Sequence, residues 1–142
     1  MKKIVVINGV NLNMLGIREP SVYGNQTYDD LCNYIAAFAK EKEIEVFFYQ
    51  SNHEGDIVDR IQDCYFNKVD GIVINPGAFT HYSYAIHDAI KGINIPTIEV
   101  HISDISARED FRKNSVIKPA CIAQIKGKGF DGYIEAIEKL ID

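Results

Sequence analysis

Arg18 and Tyr23 lie five residues apart in the stretch NGVNLNMLGIREPSVYG, residues 8–24. A tyrosine is a poor base near neutral pH, because its free pKa is about 10. A guanidinium beside it favours the phenolate, and a nearby cation typically shifts a pKa by roughly one to three units. The pair could therefore remove a proton. It could also be a solvated arginine and a tyrosine packed on a helix face, and the two residues alone favour that reading. Asn11 could donate to a developing oxyanion or simply accommodate a left-handed turn. His101 follows an apolar run directly, where it could deliver a proton or serve as a hydrogen-bonded core histidine. Glu99, two residues earlier, would share its strand face and could orient the ring. Asn75 and His81 offer neutral hydrogen bonds, or else turn and cap chemistry around Pro76 and Gly77. Arg112 supplies a fixed positive fork, although a lone arginine is usually a surface residue.

Elements that would bring these residues together follow from periodicity. IVVI, residues 4–7, is a continuous apolar run expected of a strand buried on both faces. Further strands are expected at IEVFFY (44–49), GIVI (71–74), PTIEV (96–100) and CIAQI (121–125). A helix should begin near Thr27, a good N-cap with Asp29 and Asp30 in the first turn. Leu31, Ile35 and Phe38 mark its inner face, flanked by Tyr34. A second helix over 54–67 presents Ile57, Ile61, Cys64 and Tyr65. A third over 82–91 turns Ala85, Ile86, Ala89 and Ile90 inward. FDGYIEAIEKLI, residues 130–141, closes the chain as a helix.

Five strands alternate with helices, which implies an α/β fold with a parallel sheet covered on both faces. The simplest arrangement is a flavodoxin-like three-layer sandwich with strand order 2-1-3-4-5. At 142 residues a single domain, 1–142, is expected. Ligands of such sheets bind beyond the carboxyl ends of the strands. NGVNLN, QSNHEGD, NPGAFTH and HISDISARED fall there. Three of the four histidines (His53, His81, His101) and three of the four arginines (Arg18, Arg108, Arg112) lie in or just after these segments. Loops are polar in general, but a binding site at this edge explains the concentration better.

Composition narrows the classes. The chain is 46% hydrophobic and 25% charged, as in ordinary soluble proteins. A formal net charge of -5 argues against a broad nucleic-acid or acidic-membrane surface. Cys32, Cys64 and Cys121 are widely spaced and read as small buried hydrophobes in a reducing compartment. The first apolar run is shorter than the roughly 7–15 residues of a signal-peptide core. No stretch reaches the ~18 apolar residues of a membrane span, so a cytoplasmic protein is expected. There is no P-loop, no GxSxG and no HExxH or clustered His/Cys set. GKGFDG (127–132) matches GxGxxG, yet the chain ends before the acidic partner about 20 residues on, so those glycines read as a turn. A receiver domain would want an acidic cluster after the first strand, where Asn8 stands, and an Asp after the third, where Asn75 stands. A flavodoxin would want a Ser/Thr-rich phosphate loop after the first strand.

Four stretches, NLNMLGIREPSVYG, QSNHEGDIVDRIQ, NPGAFTHYSYAIHDAI and EVHISDISAREDFR, together with GxxGY at 129–133, resemble type II 3-dehydroquinate dehydratases over essentially the whole chain. The resemblance implies a flavodoxin-like fold, commonly a dodecamer of trimers, and no metal or organic cofactor. It implies conversion of 3-dehydroquinate to 3-dehydroshikimate by anti elimination of water through an enolate. It assigns Tyr23 as the base, Arg18 as its stabilising cation, Asn11 to the NLN position and His101 as the acid. Asn75, His81 and Arg112 would hold the substrate, with the backbone of Ile102 and Ser103 on its carboxylate. Asp88 is the helix aspartate, expected to complete a neighbouring subunit's site. Two departures stand out. Val10 occupies a position where the family usually has Pro, and Ser106 one where it often has His. The long stretch at 8–24 is then a lid hinged at Gly16 and Gly24, which would exclude water on closing.

Overall fold

Ile4, Val5, Val6 and Ile7 are all buried, and they form the middle of the first strand, β1 (Lys3–Asn8). The computed structural model describes the backbone of residues 1–142 and every side chain except those of Val22 and Tyr23. A 3-10 turn at Leu12–Met14 and the short helix α1 (Pro20–Tyr23) lead into α2 (Tyr28–Glu41). Then come β2 (Glu45–Gln50), α3 (Glu54–Phe66), β3 (Gly71–Asn75), α4 (Tyr84–Ile93) and β4 (Thr97–His101). After a run of 3-10 turns, β5 (Ala123–Lys126) and α5 (Asp131–Ile141) end the chain. The sheet is parallel throughout with order β2-β1-β3-β4-β5, as the alternation requires.

Alternation along each strand splits the core in two. Ile4, Val6, Val73, Ile98 and Val100 face α2 and α5, which contribute Leu31, Ile35, Tyr133, Ala136 and Ile137. Val5, Ile7, Ile72 and Ile74 face α3 and α4, which contribute Ile57, Ile61, Cys64, Ile86 and Ile90. The result is three layers, with every strand end carrying its loop to the same edge.

Helix starts obey local chemistry. Thr27 and Asp30 form a reciprocal capping box at α2. Ser83 caps α4 by accepting the Ile86 N–H at 3.1 Å, which delays that helix to residue 84 rather than 82. It runs on to Ile93, where Asn94 in the left-handed region ends it. Tyr65 and Ala85 are exposed, not inward as their spacing suggests. Ile57, Ile61 and Cys64 on α3 and Ile86 and Ile90 on α4, about one per turn, already occupy the contact with the sheet. Only Cys64 of the three cysteines is fully buried. The last strand starts at Ala123 instead of 121, because the Cys121 N–H is taken by the Lys118 carbonyl of a preceding 3-10 turn. Among the described residues no helix is long and apolar enough to cross a membrane.

Candidate active site

An open cleft lies at the carboxyl edge of the sheet. Asn11 and Arg18 line it from the loop after β1, Asn75 and His81 from the end of β3 and the turn after it, and His101, Ile102, Ser103 and Arg112 from β4 onward. Eight of the expected site residues thus converge from segments far apart in sequence. Asp88 does not join them; it is exposed on α4. The assignment of Tyr23 falls on a side chain outside the described residues. Arg108, which the motifs did not single out, also lines the cleft.

The loop after β1 is held from both sides. Asn11 has φ 70, in the left-handed region, so it both makes the turn and faces the cleft. Its N–H donates to Asn52 Oδ1 at 2.9 Å, and Gln50 Nε2 donates to the same oxygen at 3.1 Å. On the other side the Gly9 N–H donates to the Asn75 carbonyl at 2.7 Å. Gly16 and Gly24 both have positive φ, 85 and 82, so the ends of the candidate lid use backbone conformations that glycine adopts without strain. Between them Glu19 reaches both arginines, with one oxygen 3.3 Å from Arg18 Nη2 and 3.3 Å from Arg108 Nη2. The stretch after β1 is thereby tied to the segment that follows β4.

Beneath the cleft sits a buried polar junction. Tyr133 Oη donates to Asn8 Oδ1 at 2.6 Å and accepts from Asn75 Nδ2 at 3.0 Å. The Gly77 N–H donates to Asn75 Oδ1 at 3.2 Å. Both ends of the Asn75 amide are therefore oriented by the protein, with the second N–H of Nδ2 remaining for a ligand. Burial pushes the Tyr133 phenol well above its ordinary value, so it stays protonated.

At the end of β4, His101 is 5% exposed and Glu99 0%. His101 Nε2 bonds Glu99 Oε2, as expected from their shared strand face. Ser115 and Gln124 also donate to this carboxylate. Burial alone would raise the Glu99 pKa; the bonds and charge from His101, then Gln124 and Ser115, outweigh it and hold the group below its usual range. His81 Nδ1 bonds the Asn114 carbonyl at 2.8 Å, which makes Nδ1 the protonated nitrogen of the neutral ring and Nε2 an acceptor. Burial lowers the His81 pKa; the Asn114 carbonyl opposes this, while the charges of Arg112 and His101 add to it. Arg112 pairs with Glu109 and stacks 4.7 Å from the centre of the Phe111 ring.

The glycine turn near the chain end has a positional task. The Gly129 N–H donates to the Ile102 carbonyl and the Gly127 N–H to the Ser103 carbonyl, each at 3.1 Å. These bonds fix the Ile102–Ser103 backbone at the cleft wall. Among the described residues no three His, Cys, Asp or Glu side chains group as metal ligands would. The arrangement suits proton transfer and the binding of an anion rich in hydroxyl groups.

A sequence model of the family described as Dehydroquinase class II matches residues 2–141. The chain is 62% identical over 140 residues to a 3-dehydroquinate dehydratase of Caldicellulosiruptor bescii, covering 99% of this chain and 97% of that one. It is 60% identical over 138 residues to the 3-dehydroquinate dehydratase of Clostridium beijerinckii, covering 97% and 94%. The crystal structure of a type II dehydroquinase from Butyrivibrio crossotus superposes with a TM-score of 0.98 at 58% identity, covering 99% and 98% of the two chains.

Proposed function

The chain belongs to the dehydroquinase class II family and dehydrates 3-dehydroquinate in the shikimate pathway; we propose that it does so by anti elimination through an enolate, with Tyr23 as base and His101 as acid. The substrate is a β-hydroxy ketone bearing a carboxylate. Tyr23, as phenolate favoured by Arg18, takes the proton next to the carbonyl. Electron density moves to the carbonyl oxygen, where Asn11 donates directly or through a water. The enolate then expels the β-hydroxide, which leaves as water on receiving the His101 proton. A conjugated enone, 3-dehydroshikimate, remains.

Binding is divided among the other residues. Arg112, His81 and Asn75 take the hydroxyl groups, and the Ile102–Ser103 backbone takes the carboxylate. The observation that carries this reading is the convergence of eight such residues on one cleft, with a buried Glu99 on His101. Closure of 8–24 over bound substrate brings base and cation together and excludes water. Asp88, exposed on α4, serves a neighbouring subunit's site within a trimer, four of which make a cytoplasmic dodecamer.

Tyr23→Phe tests the mechanism. Turnover, read from the ultraviolet absorbance of the enone, should fall about 100- to 10,000-fold, while binding of product falls much less. A variant that keeps more than about a tenth of wild-type turnover lies far above that range and removes Tyr23 as base. His101 would then have to abstract the proton.

A further inference from the structure

Two of the three donors on the buried Glu99 carboxylate belong to residues that no step of the elimination uses. Ser115 Oγ donates at 2.8 Å to Oε1 and 3.1 Å to Oε2. Its own oxygen accepts the N–H groups of Ile117 at 3.2 Å and Lys118 at 3.0 Å. With both lone pairs occupied, the hydroxyl proton is directed to Glu99. Gln124 stands opposite Glu99 on the edge strand β5 and donates through Nε2 at 2.8 Å. An ionised carboxylate only accepts, so each donor favours the charged form.

We propose that Ser115 and Gln124 are positioning residues for the dehydration: they hold buried Glu99 as a charged acceptor, and Glu99 fixes the His101 ring by Nε2, leaving Nδ1 for the cleft. This rests on reading His101 as the acid. The Nδ1 proton goes to the departing hydroxide, completing water, and the ring returns to neutrality with Nε2–H still on Glu99. Throughout, the carboxylate balances the positive charge the ring carries before it releases the proton. Without its two supporting donors, less opposes the effect of burial, and the carboxyl takes up a proton more readily. It would then donate to the ring and no longer balance that charge.

The groups that act on this carboxylate or its ring are His101 on the same strand, Cys121 ahead of β5, and His81, which Arg112 faces in turn. Burial first, then the Glu99 charge, pushes the Cys121 thiol up to about 12, so it does not titrate in the working range.

Gln124→Leu and Ser115→Ala should each lower kcat about tenfold, the scale for losing a hydrogen bond to a buried charge, with KM little changed. Gln124→Glu is the sharper variant. At low pH a protonated Glu at 124 still donates, and kcat stays near wild type. As pH rises that carboxyl ionises against Glu99 and kcat falls at a pH where wild type is level. The ring nitrogen shifts of His101, read by NMR on substrate-free protein, should move in both Gln124 variants. Wild-type kcat, pH profile and ring shifts in all three variants overturn the proposal. The acid assignment fails separately, if His101→Asn keeps wild-type turnover; the ring shifts then still decide whether Ser115 and Gln124 hold the pair.

Discussion

A Cβ placed on Gly9 would lie 2.3 Å from the Pro76 carbonyl oxygen. The loops after β1 and β3 therefore touch backbone to backbone, and this contact sets Asn11 and Asn75 on one cleft. Gly9→Ala must push the loops apart. Overpacking of this kind costs about 1–3 kcal/mol, measurable as a lower denaturant midpoint. Because the displaced loop carries Asn11, kcat/KM should fall further than in a variant of equal stability altered on the outer face of α3.

Asn52 is expected to govern turnover without touching the chemistry. Its Oδ1 accepts the Asn11 N–H, which steadies a backbone at φ 70. Asn52→Ala should reduce kcat/KM about five- to tenfold, the worth of roughly one hydrogen bond. Asn52→Asp keeps the acceptor and should retain most of the activity. Steady-state kinetics on the two variants, with circular dichroism to verify folding, separates lost positioning from lost structure.

His81 ties stability to pH in a definite direction. Its folded pKa lies below the ordinary 6.5, chiefly because burial disfavours the cation. Well above 6.5 neither the folded nor the unfolded form is protonated there, and the contribution is complete. As pH falls below that point the unfolded chain takes up the proton first, so stability declines until the folded pKa is passed. Denaturant midpoints between pH 8 and 5 should fall less steeply for His81→Gln than for wild type. An equal slope in both would mean that His81 is not the group responsible.

The fold was legible because its signals are local. IVVI has no polar residue to place outward, Thr27 and Asp30 advertise a helix start, and five strands alternating with helices leave few ways to build a parallel sheet. The edge that carries the cleft followed, since strand direction alone decides where Asn8, Asn75 and His101 emerge. Tyr65 and Ala85 misled because helical spacing shows which residues share a face, not how wide a contact the sheet offers. The supporting residues were not readable. Asn52 reaches Asn11 across 41 positions, Gln124 reaches Glu99 across 25, and Arg108 reaches Glu19 across 89. Such pairs depend on strand register and loop path, and a polar residue in a loop carries no mark of its distant partner. Arg108 alone left a trace, as one of three arginines gathered at a single edge.

The bond from Tyr133 to Asn8 joins residues 125 positions apart. The same phenol holds Asn75, so the floor of the cleft is finished by the closing helix of the chain. During synthesis β1 and β3 leave the ribosome long before α5, and chains advance at about 5–20 residues per second. The nascent chain can pair its early strands, yet Asn8 and Asn75 have no phenol between them until residue 133 is free of the exit tunnel. Completion of the cleft floor therefore waits for α5, and a chain cut short before that helix carries Asn8 and Asn75 without the phenol that holds them together.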